Sequence, residues 1–235
     1  MATLYAGTSG FAYPSWRPDF YPEKLPAAKF LAHYATRLNV VEINFTFRRL
    51  ASEKVVDGWM SVTPASFLFA VKAHMRITHI HRLRGAGEAV QAFFRSVNPL
   101  AAAGRLGPVL FQLPPNLKRQ DDLLAGFLAG LPRNFRHALE VRHESWFDPA
   151  VLAMLGDHNV ALCRAETDNL SAPAVVTADF VYFRFRKSEY PAEQRAQLAV
   201  QVKEHLAAGR DVFAIFKHED DPAGAQYALE LLGGV

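Results

Sequence analysis

The sequence predicts one α/β domain over residues 1–235, a TIM-type (β/α)8 barrel, on three observations. Short apolar runs rich in β-formers recur at spacings that leave room for crossover helices. Most of the spacers carry the helical period. Polar and ionisable residues recur where the runs end, the side on which a barrel's loops converge on one mouth. An open doubly wound sheet is the competing arrangement. Its cue is a glycine-rich turn that opens a helix after the first strand, whereas Gly7-Thr8-Ser9-Gly10 leads into Phe11 and Tyr13.

The expected strands are eight: Leu4–Gly7, Val40–Asn44, Phe67–Lys72, Val109–Leu113, Ala138–Arg142, Val160–Arg164, Phe180–Arg184 and Val212–Phe216. Runs this apolar suit strands buried on both faces. Ala27–Leu38 sets Phe30, Leu31, Tyr34, Ala35 and Leu38 on one helical face. Glu88–Ala103 does the same with Val90, Phe93, Phe94 and Val97, and Pro99 is expected to break or kink it. Asp121–Leu131, Pro149–His158, Pro191–Ala208 and Pro222–Leu232 complete the helices. Asp148-Pro149 and Asp221-Pro222 read as an N-cap followed by proline at the first helical position. Thr167–Asp179 has room only for a short helix or loop.

Half of the 235 residues are hydrophobic and 21% are charged, so disordered, collagenous and low-complexity classes are excluded. No linker-like stretch divides the chain. A single cysteine, Cys163, excludes an internal disulfide and a cysteine-rich zinc site. The opening MATLYAGTSGFAYPSW has neither a basic region nor an apolar core of a signal peptide, and no run approaches a membrane span. A cytoplasmic protein without a membrane partner is expected, with oligomeric state left open. The net charge of +3 permits a polyanionic partner without requiring one. Arginine outnumbers lysine 18 to 8, which suits phosphate or carboxylate recognition and also fits a GC-rich coding bias.

At the strand ends stand Thr8 and Ser9; Glu42 and Asn44; Lys72 and His74; Gln112; Glu140, Arg142 and His143; Arg164 and Glu166; Arg184 and Arg186; and Lys217, His218 and Glu219. Within the pairs Glu42/Asn44, Glu140/Arg142 and Arg184/Arg186, side chains two apart share a face. Ionisable groups in apolar strands are costly unless paired or at a solvated rim, so they mark either a site or a structural polar layer. Two chemistries fit. Glu42 and Glu140, with Glu166, supply acid/base groups or oxygen ligands for a divalent metal. Lys72, Arg142, Arg184, Arg186 and Lys217 supply a cationic lining for phosphate or carboxylate.

There is no HExxH, no CxxC pair, no GxSxG elbow and no P-loop. His74, His79 and His81 read as unrelated loop histidines, and Cys163, inside VALCR, as a small core residue. Phe11, Tyr13, Trp16, Phe20 and Tyr21 crowd the loop after the first strand among four prolines. That loop either packs over the mouth, with Tyr13 and Trp16 as stacking faces, or packs against the barrel.

GTSGFAYPSW (Gly7–Trp16), VVEINFTFRRL (Val40–Leu50), FAVKAHMRITH (Phe69–His79), LFQLPP (Leu110–Pro115), LEVRHESW (Leu139–Trp146), TADFVYFRFR (Thr177–Arg186) and FKHEDDPAGAQYALEL (Phe216–Leu231) together resemble the DUF72 family, also called UPF0759 or YecE-like. The resemblance covers almost the whole chain. It implies a (β/α)8 barrel of unproven activity. It also implies that Glu42, Asn44, Lys72, Gln112, Glu140, Arg142, His143 and Arg184 are the family's polar strand-end positions. The chain departs from the pattern at Phe11, at Phe45 and at Lys217-His218-Glu219, where an Asn-Asn pair is common.

The expected function is a hydrolase, phosphodiesterase-like, acting on an anionic, phosphate-bearing substrate at the mouth, with a divalent metal as a candidate cofactor. Glu42, Glu140 and His143 are the candidate catalytic residues. Asn44, Lys72, Gln112, Arg142, Arg184, Tyr13 and Trp16 are the candidate substrate-binding residues. The alternatives are a non-catalytic nucleic-acid binder and a sugar isomerase-like or other small-molecule-binding barrel.

Overall fold

Each of the eight apolar runs becomes strand, and the strands pair in parallel. The computed structural model describes residues 1–166, 171–218 and 220–235. Among the described residues the strands are β1 (Leu4–Ser9), β2 (Val40–Ile43), β3 (Leu68–Lys72), β4 (Leu106–Gln112), β5 (His137–Glu140), β6 (Val160–Leu162), β7 (Arg164–Glu166), β8 (Phe180–Phe185) and β9 (Asp211–Phe216). Their order is β6-β5-β4-β3-β2-β1-β9-β8-β7, every neighbouring pair parallel.

The predicted sixth strand is split, and the split closes the ring. The Ala165 amide donates to the Cys163 carbonyl two residues back, at 2.9 Å, a γ-turn-like link that bends the chain. Before the bend β6 pairs with β5; after it β7 pairs with β8. One kinked run therefore joins the two ends of the sheet order.

The crossovers carry α1 (Phe30–Tyr34), α2 (Phe45–Arg48), α3 (Glu53–Ser61), α4 (Gly87–Ala102), α5 (Asp121–Ala129), α6 (Pro149–Asp157), α7 (Ala192–Ala207) and α8 (Ala223–Gly234). The Asp148 cap forms as expected, accepting from the Ala150 amide at 2.9 Å. Asp221 accepts from the Ala223 amide at 2.8 Å, but α8 begins at Ala223, so Pro222 rather than Asp221 is its N-cap residue, a correction to the expectation. Pro99 does not break its helix, which corrects one of the two outcomes expected there. It removes only one donor, to the carbonyl of exposed Arg95, while Val97 and Leu100 pin the last turns to the core. Ala27–Leu38 is helical over less than its predicted length, with a 3-10 turn at Ala27–Lys29 leading into α1. Helix α3 was not expected, although Val56, Trp59 and Met60 hold the helical spacing. The expected short helix or loop at Thr167–Asp179 falls partly on residues 167–170, outside the described residues; 171–179 contains no helix.

Two apolar layers result. Val40, Ala70, Leu110, Ala138, Ala161, Cys163, Ala165, Phe180, Tyr182, Phe213 and Ile215 fill the barrel interior. The larger layer lies between strands and helices and includes Phe30, Tyr34, Phe69, Phe93, Val109, Phe111 and Trp146. Small alanines on β3, β5 and β6 make room for the inward rings of Tyr182 and Phe213, whose centroids are 6.1 Å apart. Gly7 is required where β1 meets β2: a Cβ there would stand 1.9 Å from the Val40 carbonyl oxygen. Among the described residues no helix is long and apolar enough to cross a membrane.

Candidate functional site

Strand side chains alternate, so the residue two positions beyond an interior residue also points inward, one layer nearer the C-terminal mouth. Val40, Ala70, Leu110, Ala138 and Tyr182 lie in the interior. Two positions on from them stand Glu42, Lys72, Gln112, Glu140 and Arg184. The fold therefore brings five of the predicted residues, from five strands, into one layer.

Arg184 is the centre of that layer. Its Nη2 donates to Glu42 Oε1 at 2.7 Å, and its Nη1 donates to Glu140 Oε2 and, at 3.2 Å, to Gln112 Oε1. Glu42 also accepts from the Ser9 hydroxyl and the Tyr182 hydroxyl, each at 2.8 Å. Glu140 Oε1 accepts from Arg142 Nε at 3.1 Å and Arg186 Nη1 at 3.2 Å. Arg184, Glu42 and Glu140 are all buried. Burial opposes the charge of Arg184, but the two carboxylates outweigh it and raise its pKa. Burial, reinforced by Glu42, likewise raises the Tyr182 phenol and keeps it a hydrogen-bond donor.

Lys72 differs from the arginines. It is half-buried, makes no ion pair among the described residues, and its ammonium lies 4.2 Å from the centroid of the Phe47 ring. Thr46 Oγ1 donates to the Lys72 carbonyl at 2.7 Å and fixes the backbone there. Burial lowers the amine's pKa to about 8; the Arg184 charge adds to that effect and Glu42 and Glu140 oppose it. The His79 ring meets the edge of Phe47 at 5.0 Å, and its pKa is lowered by burial and then by Lys72 and Arg82. Neither Phe47, His79 nor Tyr182 was among the predicted site residues. Tyr182 had a signal, since it shares a face with Arg184; Phe47 sits in the four-residue helix α2, too short for a period to orient it.

Asn44 Nδ2 donates to Ser9 Oγ at 2.7 Å and so supports the Glu42 end of the layer. His143 is near the mouth, but its Nδ1 accepts the Ser145 amide at 3.2 Å and caps the turn Glu144–Trp146. That bond gives His143 a structural job in addition to its candidate role. Arg164 and Glu166, on β7, point out of the barrel: Arg164 reaches Gln201 and His205 on α7, at 3.1 Å each, and Glu166 pairs with Lys187 at 3.2 Å. His218 is buried beside Tyr190 and Tyr227, and Glu219 lies outside the described residues.

The aromatic loop takes the second of its two expected courses. Trp16 is completely buried, stacked on Tyr21 at 5.9 Å and edge-on to Phe20 at 5.6 Å, so it offers no stacking face to a ligand. This corrects its assignment as a substrate-binding residue: the apolar area of the cluster is better satisfied in the core than over water. Tyr13 is half-buried against Trp16, and its hydroxyl donates to the Ser9 carbonyl at 2.8 Å, holding the strand end that carries Ser9.

A cavity of about 170 Å³ adjoins the layer, lined by Glu140, Arg142, Phe147 and Ala165 among others. A divalent cation does not fit the carboxylates as they stand. The oxygens of Glu42 and Glu140 already accept from Ser9, Tyr182 and three guanidiniums, whose charges would face the metal. Among the described residues no three His, Cys, Asp or Glu side chains converge on a common metal position. Among the described residues, Lys72, Arg142, Arg184 and Arg186 surround the two carboxylates Glu42 and Glu140, so this layer carries an excess of cationic groups.

Comparison with known proteins agrees with this architecture. A family model described as "Protein of unknown function DUF72" matches residues 5–234. UPF0759 protein YunF of Bacillus subtilis is 28% identical over 152 residues, covering 62% of this chain and 53% of that protein. UPF0759 protein YecE of Escherichia coli is 32% identical over 145 residues, covering 61% and 50%. The chain thus spans about half the length of the curated relatives it matches. The crystal structure of a DUF72 family protein of Thermotoga maritima superposes with a TM-score of 0.86 at 27% identity, over 98% of both chains. A second DUF72 family structure, from Enterococcus faecalis, shares the fold with a TM-score of 0.79 at 20% identity, over 99% of this chain and 97% of that one.

Proposed function

The chain belongs to the DUF72 family, and from that premise we propose that its barrel mouth binds a phosphate-bearing small molecule through Lys72, Arg142 and Arg186. The observation that carries this reading is the imbalance of charge. Arg184 is consumed by the two buried carboxylates, whereas Lys72, Arg142 and Arg186 lie toward the rim, half-buried, with donors to spare. Guanidiniums held by carboxylates are preorganised, so an anion meets them without a large reorganisation cost. Glu42 and Glu140 then act as positioning residues that fix Arg184, Arg142 and Arg186. The single cysteine, free and buried, is consistent with a cytoplasmic setting.

Hydrolysis of a phosphate ester is the finer reading. It has support from Glu140, which lines the cavity together with Arg142, whereas Glu42 does not. A second reading, nucleic-acid binding, is favoured by the rim. Arg48 and Arg49 follow β2, and Arg76, Arg82 and Arg84 follow β3, with no acidic residue in 45–52 or 73–87.

Thermal unfolding at low ionic strength, with inorganic phosphate, phosphorylated sugars, nucleotides and their unphosphorylated counterparts, tests the binding. Selective stabilisation by the phosphorylated set, lost in Arg142→Met/Arg186→Met, is expected. Equal shifts with the neutral set, or none, would refute it. The same panel assayed for phosphate release by wild type and Glu140→Gln tests hydrolysis; no release from any substrate removes that reading and leaves binding standing. A single-stranded oligonucleotide that binds with a steep negative salt slope would favour the second reading.

A further inference from the structure

Lys72 is placed unlike Arg142, Arg184 and Arg186, each of which is paired with a carboxylate. It ends β3 on the interior face, between the ring of Phe47 and the guanidinium-rich layer. The carboxylates that would ordinarily neutralise it are already bound by Arg184, Arg142 and Arg186. An amine in partly apolar surroundings and beside other cations is disfavoured as an ammonium. The backbone under it is fixed by the Thr46 bond, and the Phe47 ring holds the end of the side chain. These are conditions in which a lysine acts as a carbon-directed nucleophile as well as a point charge.

We infer that Lys72 is a covalent catalytic residue that forms an imine with an aldehyde or ketone bearing a phosphate or carboxylate group. The inference deepens the anion-binding reading and rests on it, because Arg142 and Arg186 would hold the ligand's anionic group while its carbonyl meets Lys72. The neutral amine donates its lone pair to the carbonyl carbon, a C–N bond forms, and the carbonyl π pair moves to oxygen. Proton transfer from nitrogen to that oxygen gives the neutral carbinolamine. A further proton from solvent lets the hydroxyl leave as water, giving the protonated imine. Loss of that proton gives the neutral imine, so amine and carbonyl become imine and water with no change of oxidation state. The lowered pKa of Lys72 raises the share of reactive amine near neutrality.

Sodium cyanoborohydride trapping tests this directly, since hydride converts the imine to a stable secondary amine. Glyoxylate and dihydroxyacetone phosphate serve as anionic probes, and dihydroxyacetone as the neutral control. The chain has eight lysines, so peptide mass mapping provides its own internal comparison. The expected result at pH 7.5 is labelling of Lys72 at least about tenfold faster than the average of the other lysines, with the anionic probes preferred. Inorganic phosphate should compete, and Lys72→Arg should lose the fast adduct alone. Even labelling across the lysines, or none at Lys72, would overturn the inference. Phosphate-induced thermal stabilisation measured on the same wild-type sample separates the two failures. Stabilisation without a Lys72 adduct removes imine chemistry and leaves anion binding intact. A Lys72 adduct without phosphate stabilisation supports the nucleophile and removes the phosphate reading. Absence of both removes both.

Discussion

Arg184 and Glu42 lie 142 positions apart in sequence, yet their side chains meet at 2.7 Å inside the barrel, both essentially without solvent exposure. A pair so buried gains Coulomb energy only by losing hydration, and it persists because further bonds occupy most of the remaining donors and acceptors, Arg184 Nε excepted. Ser9 and Tyr182 serve Glu42; Glu140 and Gln112 serve the other arm of Arg184. The layer is therefore one network, and its members do not act independently.

Removing the guanidinium strands two buried carboxylates. Arg184→Leu is expected to cost about 3–5 kcal/mol of stability, read by urea unfolding. Combining it with Glu42→Gln and Glu140→Gln should recover a substantial part of that loss, because the unpaired charges are gone. A cost under about 1 kcal/mol for Arg184→Leu alone would show that the network is not closed as described.

Lys72 gives the protein a pH signature of definite sign. Its pKa falls from 10.5 to about 8 on folding, mainly through burial. The unfolded chain therefore binds more protons between those two values, and stability rises with pH across that window. The charge penalty is full below about 8 and fades toward 10.5, with Arg184, Arg186, Glu42, Glu140 and His79 as the facing groups. Lys72→Met should be more stable than wild type at pH 7, by a margin that shrinks from pH 8 to pH 10. Chemical unfolding of both proteins across that range measures it; a constant margin would contradict the burial of the amine.

Trp16 and the mouth should separate cleanly. Trp16→Ala empties a core site and is expected to cost about 3–5 kcal/mol. The extra stabilisation given by a phosphorylated ligand should survive at a temperature where the variant is folded. Loss of that stabilisation in a folded Trp16 variant would return the residue to the ligand site.

Gly7→Ala should be among the most damaging single substitutions in the chain. The new methyl would meet the Val40 carbonyl oxygen, and backbone cannot give way as a flexible side chain can. A loss of about 3 kcal/mol or more, or failure to accumulate folded protein, is expected. Circular dichroism melting settles the matter; a wild-type melting temperature would mean β1 and β2 are not so close.

The barrel was legible because its strands are short apolar runs with crossover-sized spacers, and all eight runs form strand. The inward layer was legible in part. Glu42, Lys72, Gln112, Glu140 and Arg184 follow interior residues by two, but runs buried on both faces do not say which parity faces inward. Alanine shows it on β3, β5, β6 and β7, where Ala70, Ala138, Ala161 and Ala165 face inward, but not on β1 and β9, where Ala6 and Ala214 face the helices. By that parity Arg164 and Glu166 fall outside, as they do. Long-range partners were beyond reach: nothing local in FVYFR says that Tyr182 donates to Glu42, and nothing in NFTFRR turns Phe47 toward Lys72.

A crystal of the wild-type protein soaked in selenate at low ionic strength would locate the anion site whatever the natural ligand is. Selenate has the shape of phosphate and can be found by its anomalous signal. The expected result is a peak at the mouth within hydrogen-bonding reach of Lys72, Arg142 or Arg186. Selenate bound elsewhere, with the mouth holding only water, would contradict the cationic mouth as a phosphate-binding site.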